Sequence, residues 1–570
     1  MKKTAKLCIY IIAAFLPLVY CFHIEAIDFS KYPWFPNQDY WIDLFLYGKS
    51  WVIRASAVVM SASLLVTNIK NRKRTVSFES CCVLIIGVFL MLSAVFSGFS
   101  EQTLKGSIEQ YESVYVLLSY LVIGVFCCSY VKKEKSCKSI RNALLIGLML
   151  SCVIGLFQIL QNDLWETDLG KRLLIPETFA TLRENLRFSE DYMGWKRVYM
   201  ALYNPTYAGI YLVMLLPLLF FGKNKWMKLL LIPVGLCLIG TMSKTAVAVA
   251  VVLVLLNVWM RSEKEAVNKF LNKKIFAGTV IAVTIIAGVL IMQNGNGVLN
   301  QGKRLQKVET QEDQIKVIYK GNALYLSEFP KDAGVTYKIV DEDGNEPMLL
   351  WVPERGEMDS QDPRFSDLHF KVYSKDERGY IYFRYADVIF RFTDELGTGK
   401  YEYISINGKP DELELAKTFI NVGDSLLNGR GYIWNRVIPM IAEKPILGTG
   451  PDTFLQVFPQ DDYVARANLG YGFFTEILTN AHSFYLQIAL QNGLIVLICF
   501  MGLMAVYLKK SWKMYVHKDS YDEMDRMGAA CFLGTIGYLL CGLVFASSVC
   551  TTPIFAVLVG TGIGIQKINH

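Results

Sequence analysis

Long apolar runs alternate with short basic loops along most of the chain. Runs without a charged residue, such as 80–99, 142–161 and 484–508, reach the roughly 20 residues that an α-helix needs to cross a bilayer. The pattern predicts an all-α polytopic membrane protein with about twelve transmembrane helices. These helices are expected at residues 7–22, 51–69, 80–99, 113–131, 142–161, 198–221, 226–242, 245–260, 275–293, 484–508, 529–548 and 552–565.

The lysine and arginine residues of the short loops predict the orientation. Clusters such as 70–74, 132–138, 261–274 and 509–513 fall on one side of the membrane when twelve helices are counted. Short loops rich in Lys and Arg are typically cytoplasmic. We therefore expect a multi-pass protein of the cytoplasmic membrane with both termini in the cytoplasm.

Four segments lie outside the cytoplasm in this topology, at residues 24–50, 100–112, 162–197 and 294–483, and the last is by far the largest. The chain is thus divided into three parts. These are residues 1–293 with transmembrane helices 1–9, the extracytoplasmic loop 294–483, and residues 484–570 with helices 10–12.

The large outer loop begins with a change of period. Within residues 303–410, segments such as 380–385 and 388–392 alternate apolar and polar positions, and Gly-containing turn signals separate them. This alternation predicts a small inserted antiparallel β domain. Residues 411–483 follow, in which 411–428 and 432–443 have helical spacing and are expected to be helices on the membrane surface.

The amino-acid composition is typical of a membrane protein and argues against a nucleic-acid partner. The chain is 53% hydrophobic and 19% charged. Its net charge of +7 resides mainly in short loops between apolar runs, so it reports topology and predicts no nucleic-acid partner. None of the 13 cysteines lies between residues 293 and 480, so structural disulfides are not expected. No Cys/His spacing is typical of a zinc site.

Three short motifs flank the end of the outer loop. They are Gly429-Arg430 with Trp434, then Pro445-Ile446-Leu447-Gly448-Thr449-Gly450, then His482-Ser483-Phe484-Tyr485-Leu486-Gln487. An arginine and a histidine are thus predicted at the mouth of a transmembrane helix. Arginine binds phosphate through charged hydrogen bonds, and histidine is a general base near neutral pH.

The segment 429–494 resembles the signature region of the O-antigen ligase and O-antigen polymerase family. Two upstream elements look similar too, Arg197 with Asn204-Pro205-Thr206, and Thr241-Met242-Ser243-Lys244. The resemblance covers roughly two thirds of the chain and leaves the β insert outside. Lys244 stands where the family more often has arginine, and Ser483 where it has asparagine, and lysine lacks the bidentate fork that grips phosphate.

The resemblance implies an inverting membrane glycosyltransferase. Its donor would be a polyprenyl-diphosphate-linked glycan, and its acceptor a saccharide or a lipid, among membrane lipids. His482 and Arg430 are the expected catalytic residues, and Lys244, Arg197, Arg436, Tyr485 and Gln487 are expected to bind the diphosphate or the acceptor. We expect no metal and no cofactor, because the cationic side chains supply the countercharge.

Each candidate residue also has a structural interpretation. Histidines at helix entrances commonly make interfacial hydrogen bonds, and Lys244 at a hairpin is expected to extend to the membrane interface. Arg430 and Arg436 on a surface helix are expected to bind lipid headgroups without specificity.

Two other functions fit the same pattern. A lipid-linked oligosaccharide transporter or flippase would use the membrane helices, although no internal repeat typical of transporters is evident. A glycan-binding membrane scaffold would use the β insert. The motifs do not distinguish a polymerase from a ligase, and they do not identify the sugars, the envelope type or the oligomeric state.

Overall fold

The computed structural model describes residues 2–26, 40–70, 77–185, 188, 191–192, 195–261, 304–311, 313–331, 334–375, 378–395, 400–413, 415–418 and 423–569. These residues are mostly helical, and antiparallel sheets occupy part of the region between residues 304 and 411. The helices are Lys2–Tyr10, Ile11–Phe15 (a π-helix), Leu16–Leu18 (3₁₀), Tyr47–Lys70, Phe78–Val95, Ser100–Lys105, Val114–Tyr130, Glu134–Ile159, Asp168–Leu174, Glu177–Phe179 (3₁₀), Leu182–Asn185, Pro205–Phe220, Lys225–Leu229, Leu231–Gly240, Lys244–Arg261, Leu426–Glu443, Phe454–Val457, Tyr463–Ala467, Tyr471–Thr475, Phe484–Tyr515, Glu523–Cys541 and Thr552–Asn569.

Five helices among the described residues are long and apolar enough to cross a membrane, by length and composition. Each predicted transmembrane helix overlaps an observed helix, except that 275–293 lies outside the described residues. Leu231–Gly240 has only 10 residues, which is about half of a full crossing. The count of twelve spans therefore stays a prediction. The five candidate spans are Tyr47–Val66, Phe78–Val95, Glu134–Ile159, Lys244–Arg261 and Phe484–Tyr515.

The helical part is built around two deeply buried helices, Pro205–Phe220 and Thr552–Asn569. Asn204 caps the first, since its Oδ1 accepts a hydrogen bond of 3.0 Å from the backbone N–H of Tyr207. The second packs on Val114–Tyr130, where Gly560 meets the backbone of Gly124 so closely that a side chain would collide. Small residues at helix contacts allow such close packing in membranes.

Two antiparallel sheets fill the region of the predicted β insert. In each sheet the strands pair in chain order, so neighbouring strands in the sequence are neighbours in space. The four-stranded sheet contains Leu305–Thr310, Ile315–Tyr319, Asn322–Lys331 and Gly334–Asp341. The seven-stranded sheet contains Leu349–Val352, Glu357–Ser360, Leu368–Lys375, Arg378–Tyr385, Val388–Glu395, Glu402–Ile404 and Pro410–Asp411. Two short hairpins lie elsewhere, His23–Ala26 with Tyr40–Asp43, and Asp191–Tyr192 with Trp195–Lys196.

The alternation that predicts these strands has a direct structural cause. Every second residue of Arg378–Tyr385 is buried, including Ile381 and Phe383. The rings of Phe383 and Phe390 stack across the strand pair with centroids 4.9 Å apart. A sheet with one buried face gives this period of two.

The core of the sheets also contains residues from beyond the insert. Tyr463, Val464, Ala467 and Phe474 are buried in the same apolar cluster as Phe390. The hydroxyl of Tyr463 donates to Asp411 Oδ2 over 2.6 Å. The sheets are therefore packed against the segment 463–474, which leads toward His482.

The prediction of a helix at residues 411–428 is wrong. The described residues between 412 and 425 form no helix, and the next helix is Leu426–Glu443, in which Leu427, Asn428 and Gly429 have positive φ. Asp411 instead belongs to the last strand of the seven-stranded sheet, and Leu413 packs on the β core. The helix Leu426–Glu443 buries Tyr432, Ile433 and Val437 against protein.

Candidate active site

The second and third motifs form one interlocked unit. Helix Phe484–Tyr515 is interrupted at Gly493, whose φ of 85° and ψ of 164° are not helical. The turn of residues 445–450 bonds to the interruption: the N–H of Leu494 donates to Pro445 O over 2.7 Å. The N–H groups of Thr449 and Gly450 donate to Leu490 O and Gln491 O, both over 2.9 Å. The turn thus supplies partners for backbone groups that the broken helix leaves open.

His482 lies two residues before the start of this helix, with a φ of 45°. Its backbone N–H donates to Asn480 Oδ1 over 3.0 Å. The preceding residue, Ala481, is held from both sides: its N–H donates to Gln487 Oε1 over 2.8 Å, and its carbonyl accepts the Trp434 indole N–H over 3.1 Å. Motif residues from two segments therefore fix the backbone that carries His482.

Arg430 docks on the segment that follows helix Glu523–Cys541. Its Nε donates to Val544 O over 2.9 Å, and its Nη1 donates to Leu427 O over 2.8 Å. The guanidinium carbon lies 5.1 Å from the ring centroid of Phe545, in a cation–π contact. Among the described residues, Nη2 has no hydrogen-bond acceptor.

The same segment brings Arg430 close to His482. The N–H of Phe484 donates to Gly542 O over 2.8 Å, only two residues before Val544. Burial, together with the charge of Arg430, lowers the pKa of His482 to about 3. Burial lowers the pKa of Arg430 to about 10, and the nearby charge of Glu476 opposes that change. Near neutral pH the site therefore holds a cationic guanidinium beside a neutral imidazole.

Arg436 lies in a different environment from Arg430. Its side chain is 4% exposed, and its Nε donates to Asp462 Oδ2 over 2.7 Å. Its Nη1 bonds to Asp424 Oδ1 at 3.3 Å. The structure thus places Arg436 in a buried network of carboxylates.

The two polar residues predicted from the third motif have structural partners. Gln487 is 3% exposed and bonds to the Ala481 backbone. The hydroxyl of Tyr485 donates to Leu539 O over 2.7 Å and thereby joins helix Phe484–Tyr515 to helix Glu523–Cys541. Both contacts support the geometry around His482.

The upstream candidates form a second cluster. The Nε of Arg197 donates to Thr241 O over 3.2 Å, and the N–H of Val198 donates to Gly240 O over 2.9 Å. Lys244 is exposed and is the first residue of its helix. The structure therefore joins Arg197 to the turn at 241–244.

Two buried carboxyl groups near the site, Glu112 and Asp452, are not part of the sequence motifs. Glu112 accepts a hydrogen bond of 2.7 Å from Tyr120 and a further hydrogen bond from the Ser547 hydroxyl. Asp452 Oδ2 accepts the N–H groups of Ser107 and Glu112, over 2.6 and 2.9 Å. Burial raises the pKa of Glu112 to about 7 and also raises the pKa of Asp452. The signal for both was modest: Glu112 is the last charge before an apolar run, and Asp452 follows the Gly-Pro turn.

A cavity of about 770 Å³ opens beside the site, among four helices. They are Phe78–Val95, Val114–Tyr130, Phe484–Tyr515 and Thr552–Asn569. Its walls are mainly apolar, whereas Glu112, Gln487, Gln491, Asn492 and Ser547 contribute polar groups. Gln487 is shared with the His482 segment, so the cavity and that segment are adjacent.

Comparison with known proteins agrees with the resemblance inferred from the motifs. The O-antigen ligase family model matches residues 374–501, and this match supports assignment of the chain to that family. The matched region is shorter than the two thirds of the chain expected from the motifs. It also includes part of the seven-stranded sheet, which the motif resemblance left outside. No curated protein and no solved structure matches the chain significantly.

Proposed function

We propose, from its assignment to the O-antigen ligase family, that the chain is a membrane glycosyltransferase of polysaccharide assembly. The donor is a glycan carried on a polyprenyl diphosphate, and the acceptor is a saccharide or a lipid. One observation carries the proposal most directly: a buried guanidinium and a neutral imidazole lie together at the head of a broken helix. Such a pair has the properties that glycosyl transfer from a diphosphate requires.

In this mechanism Arg430 holds the leaving group. The anomeric C–O bond to the diphosphate breaks, and negative charge grows on the departing oxygen. A cation in a site of low polarity stabilises such charge strongly, because little water competes for it. Two backbone carbonyls and the Phe545 ring fix the guanidinium, so Nη2 can bind a phosphate oxygen without rearrangement.

His482 accepts the acceptor proton. An acceptor hydroxyl attacks the anomeric carbon as the donor bond breaks, and its proton passes to the imidazole. A neutral imidazole is required for this step, and the lowered pKa of His482 keeps it neutral before substrate binds. The negative charge of a bound diphosphate raises that pKa again and makes the imidazole a stronger proton acceptor. A single displacement of this kind inverts the anomeric configuration and uses no metal.

The neighbouring cavity is the proposed site of the donor lipid. Its apolar walls suit an isoprenoid chain, while the polar groups of Gln487, Gln491 and Asn492 can face the diphosphate. With twelve spans and both termini in the cytoplasm, this polar end and the β sheets lie on the outer face of the cytoplasmic membrane.

The remaining predicted residues have secondary roles in this proposal. Arg197 and Lys244 provide a second cationic cluster for the phosphate or glycan of a bound substrate. Tyr485 and Gln487 position the His482 segment through their backbone contacts. Arg436 stabilises the helix that carries Arg430.

Reconstitution of the full chain in liposomes with a polyprenyl-diphosphate oligosaccharide tests the proposal. We expect transfer products with the wild type, and a loss of about 100-fold or more for Arg430→Ala and for His482→Ala. His517→Ala, in the loop after helix Phe484–Tyr515, is the matched histidine control and is expected to retain activity. Products that lengthen in repeat-unit steps indicate a polymerase, and a single capped acceptor indicates a ligase.

One outcome contradicts this function, and another contradicts the role of His482. Wild-type protein that moves the lipid-linked donor across the bilayer without forming a new glycosidic bond is a transporter. A His482→Ala variant with full transfer activity eliminates the imidazole as proton acceptor.

A further inference from the structure

A second, strongly polar cleft lies at the edge of the β sheets, where they meet the segment 467–470. Its volume is about 430 Å³, which falls in the range of small-ligand sites. Its lining includes Arg304, Asp367, His369, Tyr385 and Asn468. None of these residues belongs to the candidate active site.

Asn468 makes the floor of this cleft rigid. Its Nδ2 donates to Leu305 O over 2.8 Å and to Val464 O over 3.0 Å. Its Oδ1 accepts the Leu305 N–H at 3.2 Å and the Tyr385 hydroxyl at 3.3 Å. One amide thus ties the four-stranded sheet, the seven-stranded sheet and the helix Tyr463–Ala467 together. A site supported in this way needs little reorganisation to bind a ligand.

The side chains of the cleft are also oriented before any ligand binds. Asp367 Oδ2 accepts hydrogen bonds from the Tyr319 hydroxyl at 2.6 Å and from Lys320 Nζ at 2.8 Å. These bonds lower the pKa of Asp367, so it is an ionised acceptor near neutral pH. His369 Nδ1 lies 2.6 Å from Asp359 Oδ1, which fixes the ring and leaves Nε2 for another partner.

The mixture of groups indicates the class of ligand. Asp367 accepts hydrogen bonds, Arg304 donates them, and the imidazole of His369 and the hydroxyl of Ser366 can do either. A sugar ring carries several hydroxyl groups that each donate and accept. An apolar lipid or a hydrophobic peptide side chain would instead leave these polar groups desolvated without partners, which costs free energy.

We propose that this cleft binds a saccharide segment of the glycan that the enzyme transfers or extends. The inference rests on the proposed function for the identity of the glycan, and on the cleft itself for the binding. In this proposal the cleft at the edge of the β sheets is a glycan-binding subsite that is separate from the catalytic residues.

The chain connects this subsite directly to the candidate active site. Segment 467–470 lines the cleft, and the residues that follow reach His482 within a length of at most about 40 Å. Arg466 braces the path by donating to Phe473 O over 3.0 Å and to Glu476 O. Glu476 in turn lies within electrostatic range of Arg430. An oligosaccharide of several rings held in the cleft can therefore extend toward the reacting centre.

Saturation-transfer NMR on the full chain in nanodiscs tests the subsite. The probe is the free oligosaccharide released from the lipid-linked donor used in the transfer assay. We expect wild-type binding to weaken at least tenfold in Asp367→Asn and in His369→Ala. Lys371→Ala, two residues along the same strand and outside the cleft, is the matched control and is expected to bind as the wild type does. Unchanged unfolding temperatures show that the variants remain folded.

The active-site variant separates this inference from the proposed function. His482→Ala is expected to lose transfer and to keep oligosaccharide binding, whereas His369→Ala is expected to keep kcat and raise KM for the donor. Binding without any transfer by the wild type supports the subsite and contradicts the glycosyltransferase proposal. Transfer with no detectable binding by the wild type, or with equal binding by wild type and both cleft variants, overturns the subsite.

Discussion

Gly493 lies directly against the carbonyl oxygen of Ile446, so that a Cβ at Gly493 would collide with that oxygen. The close approach joins the break in helix Phe484–Tyr515 to the turn at 445–450. Because the loop of His482 begins the same helix, the position of the imidazole depends on this contact. The glycine thus supports the site although it has no side chain that could act on a substrate.

We predict that Gly493→Ala destabilises the protein and abolishes transfer. The φ of 85° alone costs a non-glycine residue roughly 1–3 kcal/mol, and the collision adds to it. Thermal unfolding in detergent measures the effect. Gly502→Ala in the same helix is the control, since its Cβ would only touch the Phe78 ring at 3.5 Å. Equal unfolding temperatures for the two variants would contradict the proposal that the Gly493 contact with the turn at 445–450 stabilises the protein.

Substitution of Arg430 is predicted to lower mainly the transfer rate, whereas substitution of Arg436 is predicted to lower mainly the unfolding temperature. Arg430→Ala removes the leaving-group cation, so transfer should fall about 100-fold. The unfolding temperature should change little, because relief from burying a charge offsets the two lost hydrogen bonds to carbonyls. Arg436→Ala leaves the buried carboxylate of Asp462 without its partner, which costs roughly 3–5 kcal/mol. Unfolding temperatures and transfer rates of both variants check the contrast.

The double variant Arg436→Met with Asp462→Leu refines that comparison. It removes both buried charges, so it should recover much of the lost stability and part of the activity. If it has no activity while being as stable as the wild type, Arg436 acts on the substrate and the structural assignment is wrong.

Gln487 is predicted to act as a positioning residue. Gln487→Leu leaves the Ala481 N–H buried without an acceptor, at a cost of roughly 1–3 kcal/mol. The His482 loop should then lose its fixed geometry, so kcat should fall more than KM rises. Gln487→Glu retains an oxygen acceptor and should restore part of kcat. Equal kcat for the Leu and Glu variants would exclude this role.

The sequence anticipated those parts of the fold that have local causes. The period of two predicted the antiparallel sheets because one face of each strand is buried locally. The described residues of the predicted helix 411–428 instead begin with Asp411 in the last strand of the seven-stranded sheet, and Leu413 packs on a β core formed by residues distant in the chain. Likewise, the third motif singled out Gln487, but no sequence pattern shows that its partner is a backbone N–H six residues earlier.

In the candidate site, too, the sequence predicted local features and missed contacts between distant segments. Motif order predicted that Arg430 and His482 lie together, and the structure puts the Arg430 charge within electrostatic range of His482. Glu112 and Asp452 were missed because they are 340 residues apart and meet only through the packing of helices. Long-range contacts of this kind leave no periodic signal in a single sequence.

His482 is predicted to stay neutral over a wide range of pH. Burial and the Arg430 charge lower its pKa to about 3, so the neutral form dominates from about pH 4 upward. Its rate of modification by diethyl pyrocarbonate, followed by mass spectrometry, should therefore be flat between pH 5 and 8. In Arg430→Gln the positive charge is lost, so the pKa of His482 should rise. The fall in modification rate at low pH should then begin at a higher pH than in the wild type. A half-point near 6.5 in the wild type would contradict the predicted enclosure of the imidazole.

Glu112 is predicted to make stability fall as pH rises. Burial raises its pKa from 4.5 to about 7, so between these values the folded protein binds more protons than the unfolded chain. The contribution of Glu112 to the free energy of unfolding is then fully present below pH 4.5. It is lost as the pH rises toward 7, which lowers the free energy of unfolding by about 3 kcal/mol. Asp452 contributes in the same direction, since burial raises its pKa as well.

Glu112→Gln removes the titration and keeps a side chain that can pair with Tyr120 and Ser547, whose hydroxyl groups rotate to donate or accept. Unfolding temperatures measured from pH 5 to 8 should therefore decline less steeply in this variant than in the wild type. Glu134→Gln, at an exposed helix start, is the control and should follow the wild-type curve. Parallel curves for the wild type and Glu112→Gln would mean that Glu112 is ionised throughout, and the carboxyl beside the cavity would then be a fixed negative charge.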